Sequence, residues 1–281
     1  MFSMLKKYAA RLDVRAFLGF RVWQFSLLNF RRAFPWYFLF RIILLHPIRS
    51  WKGLQRYRQL VKRANGGHIA GTTTLQSALL KKQENAASFL IAPGFCMKPY
   101  DYSKSRSICP AGHFNHACLL LDKGGITLFE PEKWPSPCSS CGIAPLVQLA
   151  AKHRADVYIM TSALDIARHV YLPAIRHRSP QAGLFFLCAY STDAFTFGLA
   201  LSGIEGALVK FCRGDCKNHE DWTKADIGFK RDQTFVESQT WQAILHNEDD
   251  IAVGDRTSGP IFEQRGQVYR VCEDKIANHT K

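Results

Sequence analysis

Cysteine is the residue type in this chain whose placement points to chemistry. Eight of the nine cysteines, Cys96, Cys109, Cys118, Cys138, Cys141, Cys188, Cys212 and Cys216, lie between positions 96 and 216, and only Cys272 lies outside that stretch. A reduced cysteine supplies a thiolate, which is the ligand favoured by iron–sulfur clusters and zinc and the nucleophile of thiol redox chemistry. An oxidised one is only a crosslink. Crosslinked frameworks belong mainly to small secreted domains, whereas 281 residues, 47% of them hydrophobic, can bury a core unaided. At the start of the chain Arg11, Asp13, Arg15 and Arg21 break any signal-like apolar stretch, so a reducing, cytoplasmic setting is expected.

Positioning these sulfurs falls to an alternation of strand and helix patterns. Residues 88–92 (SFLIA), 156–160 (DVYIM), 183–188 (GLFFLC) and 206–212 (GALVKFC) read as buried strands, and 142–153, 163–177 and 193–202 carry apolar positions at helical spacing. The alternation predicts an α/β fold, a mostly parallel sheet with crossover helices, preceded by a basic, aromatic-rich helical N-terminal module. Functional residues of such a sheet gather beyond the carboxyl ends of its strands. Cys96, Cys188 and Cys212 stand at those ends, and Cys216 follows in the turn CRGDC. Cys138 and Cys141, in PCSSCG, precede the helix expected near Gly142, where unpaired N–H groups and the helix dipole favour a thiolate.

One layer is thus expected to collect six cofactor-binding sulfurs, from Cys96, Cys138, Cys141, Cys188, Cys212 and Cys216. Cys109 and Cys118 are further candidate metal ligands. They lie in an irregular excursion over 97–137, for which a strand pair around 118–121 and 125–129 is expected. A single Cys-x-x-Cys pair fits zinc, iron–sulfur and thiol–disulfide exchange alike. Cys188 and Cys212 also suit plain burial as small apolar residues, and Cys272 reads as structural. His113 and His116 could add imidazoles and shift the choice of metal toward zinc, and His219 is a similar case; loop or packing roles are the simpler reading. Asp193, Asp215, Glu220 and Asp221 lie near the same edge but read first as solvated turn residues. No Walker loop, dinucleotide fingerprint, HExxH helix or nucleophile elbow occurs.

Charge divides the chain. Residues 1–64 hold fourteen Lys and Arg against one acid, Asp13, so nearly all of the net +14 is N-terminal. The same segment is rich in aromatic residues, and 35–48 (PWYFLFRIILLHPI) is an apolar run between Pro35 and Pro47. It is shorter than the roughly 20 residues of a spanning helix and suits one lying in the membrane interface or a shallow hairpin. An anionic membrane surface is therefore the expected partner of 1–64, a peripheral association, with nucleic acid disfavoured. The basic start also resembles an organellar transit peptide, although the apolar run is unusual for one. A linker and short helix over 65–87, a cysteine-rich α/β domain over 88–230 and a C-terminal extension over 231–281 complete the expected layout.

The order APGFC (92–96), PCSSCGIAPLVQLA (137–150), LFFLCA (184–189) and VKFCRGDCKNHEDW (209–222) resembles the uncharacterised prokaryotic family catalogued as domain of unknown function 116. The resemblance covers about residues 88–225, most specifically in the CxxCG element and the later cysteines. It implies a cysteine-rich cytoplasmic domain following hydrophobic N-terminal segments, with cysteine-dependent metal or redox chemistry and no established reaction. The strongly basic N-terminal module and the histidines of the excursion depart from the family pattern. Two readings follow: an iron–sulfur metalloprotein acting in a redox or other enzymatic step at the cytoplasmic membrane face, and a non-catalytic zinc- or cysteine-stabilised binding module on that surface. A metal-free thiol enzyme using Cys138 and Cys141 is a third.

Overall fold

Four apolar runs pair in parallel at the centre of a seven-stranded sheet, as their uninterrupted hydrophobicity requires of strands covered on both faces. The computed structural model describes residues 33–64, 71–84, 88–123, 128–230, 232–245 and 261–272. The strands in chain order are β1 (Phe89–Ala92), β2 (Tyr100–Asp101), β3 (Arg106–Ser107), β4 (Asp156–Val157), β5 (Ala182–Leu187), β6 (Glu205–Arg213), β7 (Phe235–Val236), β8 (Phe262–Arg265) and β9 (Val268–Val271). The large sheet has the order β7-β6-β5-β1-β4-β9-β8. Its centre is parallel, and β7, β8 and β9 add antiparallel edges, so residues expected as an extension after 230 complete the sheet.

Alternation along β5 fills both faces. Phe185 packs with Leu90 and Leu208 under the helices 163–177 and Thr192–Ser202, while Phe186 packs with Ile91 and Val209 on the side of helix Ala144–Lys152. Burying each such side chain contributes about 1.5–3 kcal/mol. Local signals set the helix ends: Ser162 and Asn218 cap by accepting the amides of Asp165 and Asp221, and Gly203 takes the left-handed conformation that ends Thr192–Ser202.

The connections decide where the site must lie. From β1 the chain passes to β4 on one side, crosses back to β5 on the other side of β1, and continues outward to β6. The order therefore reverses between β1 and β5, and the carboxyl ends of these two neighbours splay their outgoing loops in opposite directions, opening a crevice.

One expected element differs. The stretch around 118–121 forms a helix, Leu119–Lys123, with Leu120 and Leu121 buried, and Leu128–Phe129 form a short turn; 124–127 lie outside the described residues. A run of three leucines is too short for its periodicity to separate strand from helix. The strand pair of the excursion is instead β2 with β3, joined through a turn in which the Asp101 carboxylate accepts from the Ser103 amide and hydroxyl.

Of the N-terminal module, 33–64 is described, as helix Ala33–Tyr37 continuing in a wider π turn Phe38–Leu44, then helix Pro47–Ala64. Pro47 breaks the first and starts the second, since proline disfavours the preceding residue's helical conformation yet fits the first helical turn. Helix Pro47–Ala64 lies along Thr192–Ser202, with Tyr57 edge-on to Phe197 at 5.4 Å. Gly53 permits this approach, because a Cβ there would stand 2.5 Å from Leu201 Cα and 2.7 Å from Ala200 O. Gly53→Val is expected to cost about 1–3 kcal/mol by overpacking, read as a lower urea midpoint. An unchanged midpoint would mean this helix does not pack as described.

Candidate functional site

Cys96 follows β1, Cys188 follows β5, and Cys216 lies just beyond β6. The strand-order reversal brings the first two together, and a turn at Gly214, whose φ is 71°, returns the chain so that Cys216 meets them. The Cys216 amide donates to Cys188 Sγ at 3.2 Å, the Thr234 hydroxyl donates to Cys96 Sγ at 3.3 Å, and Lys230 Nζ stands 3.7 Å from Cys216 Sγ. All three cysteines are buried. They line a cavity of about 110 Å³ whose walls are mainly apolar, with Phe95, Phe186, Phe211 and Trp222 among them. Asp226, which also lines it, accepts the Ala163 amide at 2.7 Å and so ties the loop after Ala225 to the segment beyond β4.

Electrostatics makes the three sulfurs unequal. Burial pushes Cys96 up to about 11, against the Thr234 hydrogen bond and the Lys230 charge. Cys188 is held well above the ordinary thiol range by its hydrogen bond to Cys216 and by burial. Cys216 is held below that range, chiefly because Cys188 donates to it, with Lys230 helping against burial. The two sulfurs are thus coupled, and the ammonium beside Cys216 favours a thiolate there rather than at Cys188.

A second group forms in the excursion. Cys138 and Cys141 are each electrostatic neighbours of Cys109 and Cys118, which also neighbour each other, and all but Cys109 are buried. The amides of Leu121 and Leu120 favour a thiolate at Cys118, and those of Ile143 and Ala144 do so at Cys141. Burial outweighs both sets and pushes Cys118 up to about 11 and Cys141 up to about 12. Lys98 organises this region. Its buried ammonium donates to Asn115 Oδ1 at 2.7 Å, Gly112 O at 2.8 Å, Ala117 O at 3.0 Å and Asn115 O at 3.1 Å, which curls 112–117 around it. Burial lowers the Lys98 pKa, and the cysteines around it act in the opposite sense.

The six sulfurs expected in one layer are therefore divided: Cys96, Cys188 and Cys216 meet, while Cys138 and Cys141 join Cys109 and Cys118. Cys212 is exposed near the end of β6, with its sulfur 3.4 Å from Phe235 O, and Cys272 is half-buried. His113 packs edge-on against Phe95 at 5.1 Å, and His116 stacks on Tyr158 at 5.2 Å while its Nδ1 bonds Ile159 O at 2.7 Å. His219 lies against Trp222 and Tyr190. Asp215 pairs with Lys217 and Glu220 with Lys224, as turn residues and helix neighbours do, Asp221 accepts the Lys217 amide at 3.2 Å, and Asp193 lies in electrostatic range of Tyr57. All nine cysteines are free thiols, and among the described residues no three His, Cys, Asp or Glu side chains already surround a point where a metal ion would sit.

Lys230, Thr234 and Lys98 are the partners that spacing does not reveal. Only Lys98, two residues beyond Cys96 in an apolar stretch, carries a local signal, a charge where burial is expected. Comparison of the chain with protein-family models, curated proteins and solved structures finds no match, so nothing there bears on the resemblance drawn from the cysteine motifs.

Removing the Lys230 ammonium removes a charge that favours the Cys216 thiolate. In metal-free protein, Lys230→Met is expected to move the titration of thiolate ultraviolet absorbance to higher pH. A titration unchanged from wild type would separate Lys230 from the thiol pair.

Proposed function

We propose that the chain is a cysteine-ligated iron–sulfur protein in which Cys96, Cys188 and Cys216 hold the cofactor for a redox or other enzymatic step at the cytoplasmic face of a membrane. The observation that carries this reading is the convergence of these sulfurs, from three distant segments, on one mainly apolar cavity at the strand-order reversal. The donor set fits such a group in kind: the ligands are soft thiols, and an amide, a hydroxyl and an ammonium are directed at them, the second-sphere contacts that tune a cluster's potential. The sulfurs stand as hydrogen-bonded neighbours, so loading requires them to give up protons, and Lys230 eases that at Cys216. A bound cluster would supply one-electron transfer. The chain's own residues define the surroundings: Phe95, Phe186, Phe211 and Trp222 restrict water, and Thr161 and Asp226 are polar groups in the same wall.

The second group supports the other reading, in which cysteines stabilise a binding module. Zinc held by Cys109, Cys118, Cys138 and Cys141 would staple the excursion to the segment ahead of helix Ala144–Lys152, a structural role that needs no substrate cavity.

Anaerobic purification with metal analysis and an absorption spectrum separates the two. The expected result is a brown protein with iron and acid-labile sulfide, which Cys188→Ser with Cys216→Ser abolishes and Cys138→Ser with Cys141→Ser retains. A colourless protein with stoichiometric zinc alone would overturn the iron–sulfur reading in favour of the binding module.

A further inference from the structure

Apolar side chains normally leave the surface of a helix that packs on a core, yet helix Ala33–Tyr37 with its continuation Phe38–Leu44 is apolar on both sides. Phe34, Phe38 and Ile42 face inward and pack in the layer formed with Tyr171 and Phe197. Trp36, Leu39, Phe40, Leu44, Leu45 and Ile48 face outward and are 37–73% exposed. These six are half of the twelve exposed large hydrophobic residues found among the described residues. Such residues scattered singly need no explanation, but six within thirteen positions form a patch. Trp36 and Phe40 stack at 5.9 Å, so the patch is also an ordered aromatic surface.

The charge beside this patch is predominantly positive. No acidic residue occurs from Ala33 to Ala64, and Ile48, the most exposed of the six, is followed directly by Arg49. Arg49, Lys52, Arg56 and Arg178 line a groove of about 630 Å³ along helix Pro47–Ala64, with Glu205 as its one carboxylate. Arg49 is fixed there by donating to Ile175 O at 2.6 Å.

We infer that the outward face of 36–48 and this basic groove together form a docking surface for a bilayer of anionic phospholipid, with the apolar side chains entering the interface and the groove receiving headgroup phosphates. The occupant follows from the pairing of features. A nucleic acid would satisfy the groove and leave the apolar face in water, whereas a bilayer offers phosphate directly above acyl chains. Trp36 is the aromatic type that settles at that boundary. No helix among the described residues is long and apolar enough to cross a membrane, so the contact lies along the surface. The inference deepens the membrane side of the proposed function and is independent of the cofactor.

Flotation of the full chain with phosphatidylcholine vesicles, with and without phosphatidylglycerol, tests it. Wild type is expected to float with the phosphatidylglycerol vesicles, less so as salt is raised. Phe40→Glu with Leu44→Glu and Ile48→Glu should abolish flotation while leaving circular dichroism and iron content unchanged, because the replaced side chains are exposed. Lys52→Gln with Arg56→Gln should weaken binding to the anionic vesicles by about thirtyfold and so reduce the preference over phosphatidylcholine. Free inorganic phosphate at the same ionic strength should not release the protein; if it does, the groove is a soluble-anion site and the inference is overturned. Wild-type flotation by the triple variant, or wild-type protein that stays off vesicles and instead self-associates through this face, would also overturn it.

Discussion

The constraint on which the rest of the molecule depends is that β1, β4, β5 and β6 run in one direction, so that their carboxyl ends share one edge. Strands buried on both faces cannot be shifted in register without exposing Phe185, Phe186 or Leu184 or driving them into the opposite layer, so that edge is set by packing before any chemistry is considered. The strand order adds the second condition. Because the chain returns across β1 to make β5, Cys96 and Cys188 become neighbours although ninety-two positions apart. Cys216 joins them only because Gly214 turns the chain back beneath Lys230 and Thr234.

The two cysteine groups are built by different means. Around Cys96, Cys188 and Cys216 the frame is the sheet, and the sulfurs line a cavity whose other walls are mainly apolar. Around Cys109, Cys118, Cys138 and Cys141 the frame is a loop wound on the Lys98 ammonium, whose four oxygen contacts replace the regular hydrogen bonding the excursion lacks. A buried ammonium has three N–H donors to satisfy, and leaving its charge incompletely paired would cost several kcal/mol. A site that handles substrate suits the first setting, and a site that holds shape suits the second.

How much of this was legible beforehand follows the same division. The apolar runs 88–92, 183–188 and 206–212 announce buried parallel strands, and with them the strand-end placing of Cys96 and Cys188, because burial on both faces leaves an unbroken hydrophobic signature. Strand order leaves no such mark. Without it Cys138 and Cys141 read as the leading pair of a single layer, and Cys212 is not told from Cys216, although the first is exposed near the end of β6 and the second is buried beyond it. Lys230 and Thr234 belong to an aperiodic segment and are recruited by tertiary contact alone. The run Leu119–Leu121 misled for the reason that three consecutive leucines fit either periodicity.

The central claim is that the strand-order reversal gathers Cys96, Cys188 and Cys216 into the cofactor site. Anomalous diffraction at the iron edge from anaerobically grown crystals tests it most directly. The account predicts an anomalous peak bonded to those three sulfurs, beside Lys230. A peak confined to Cys109, Cys118, Cys138 and Cys141, or no iron peak at all, would contradict it.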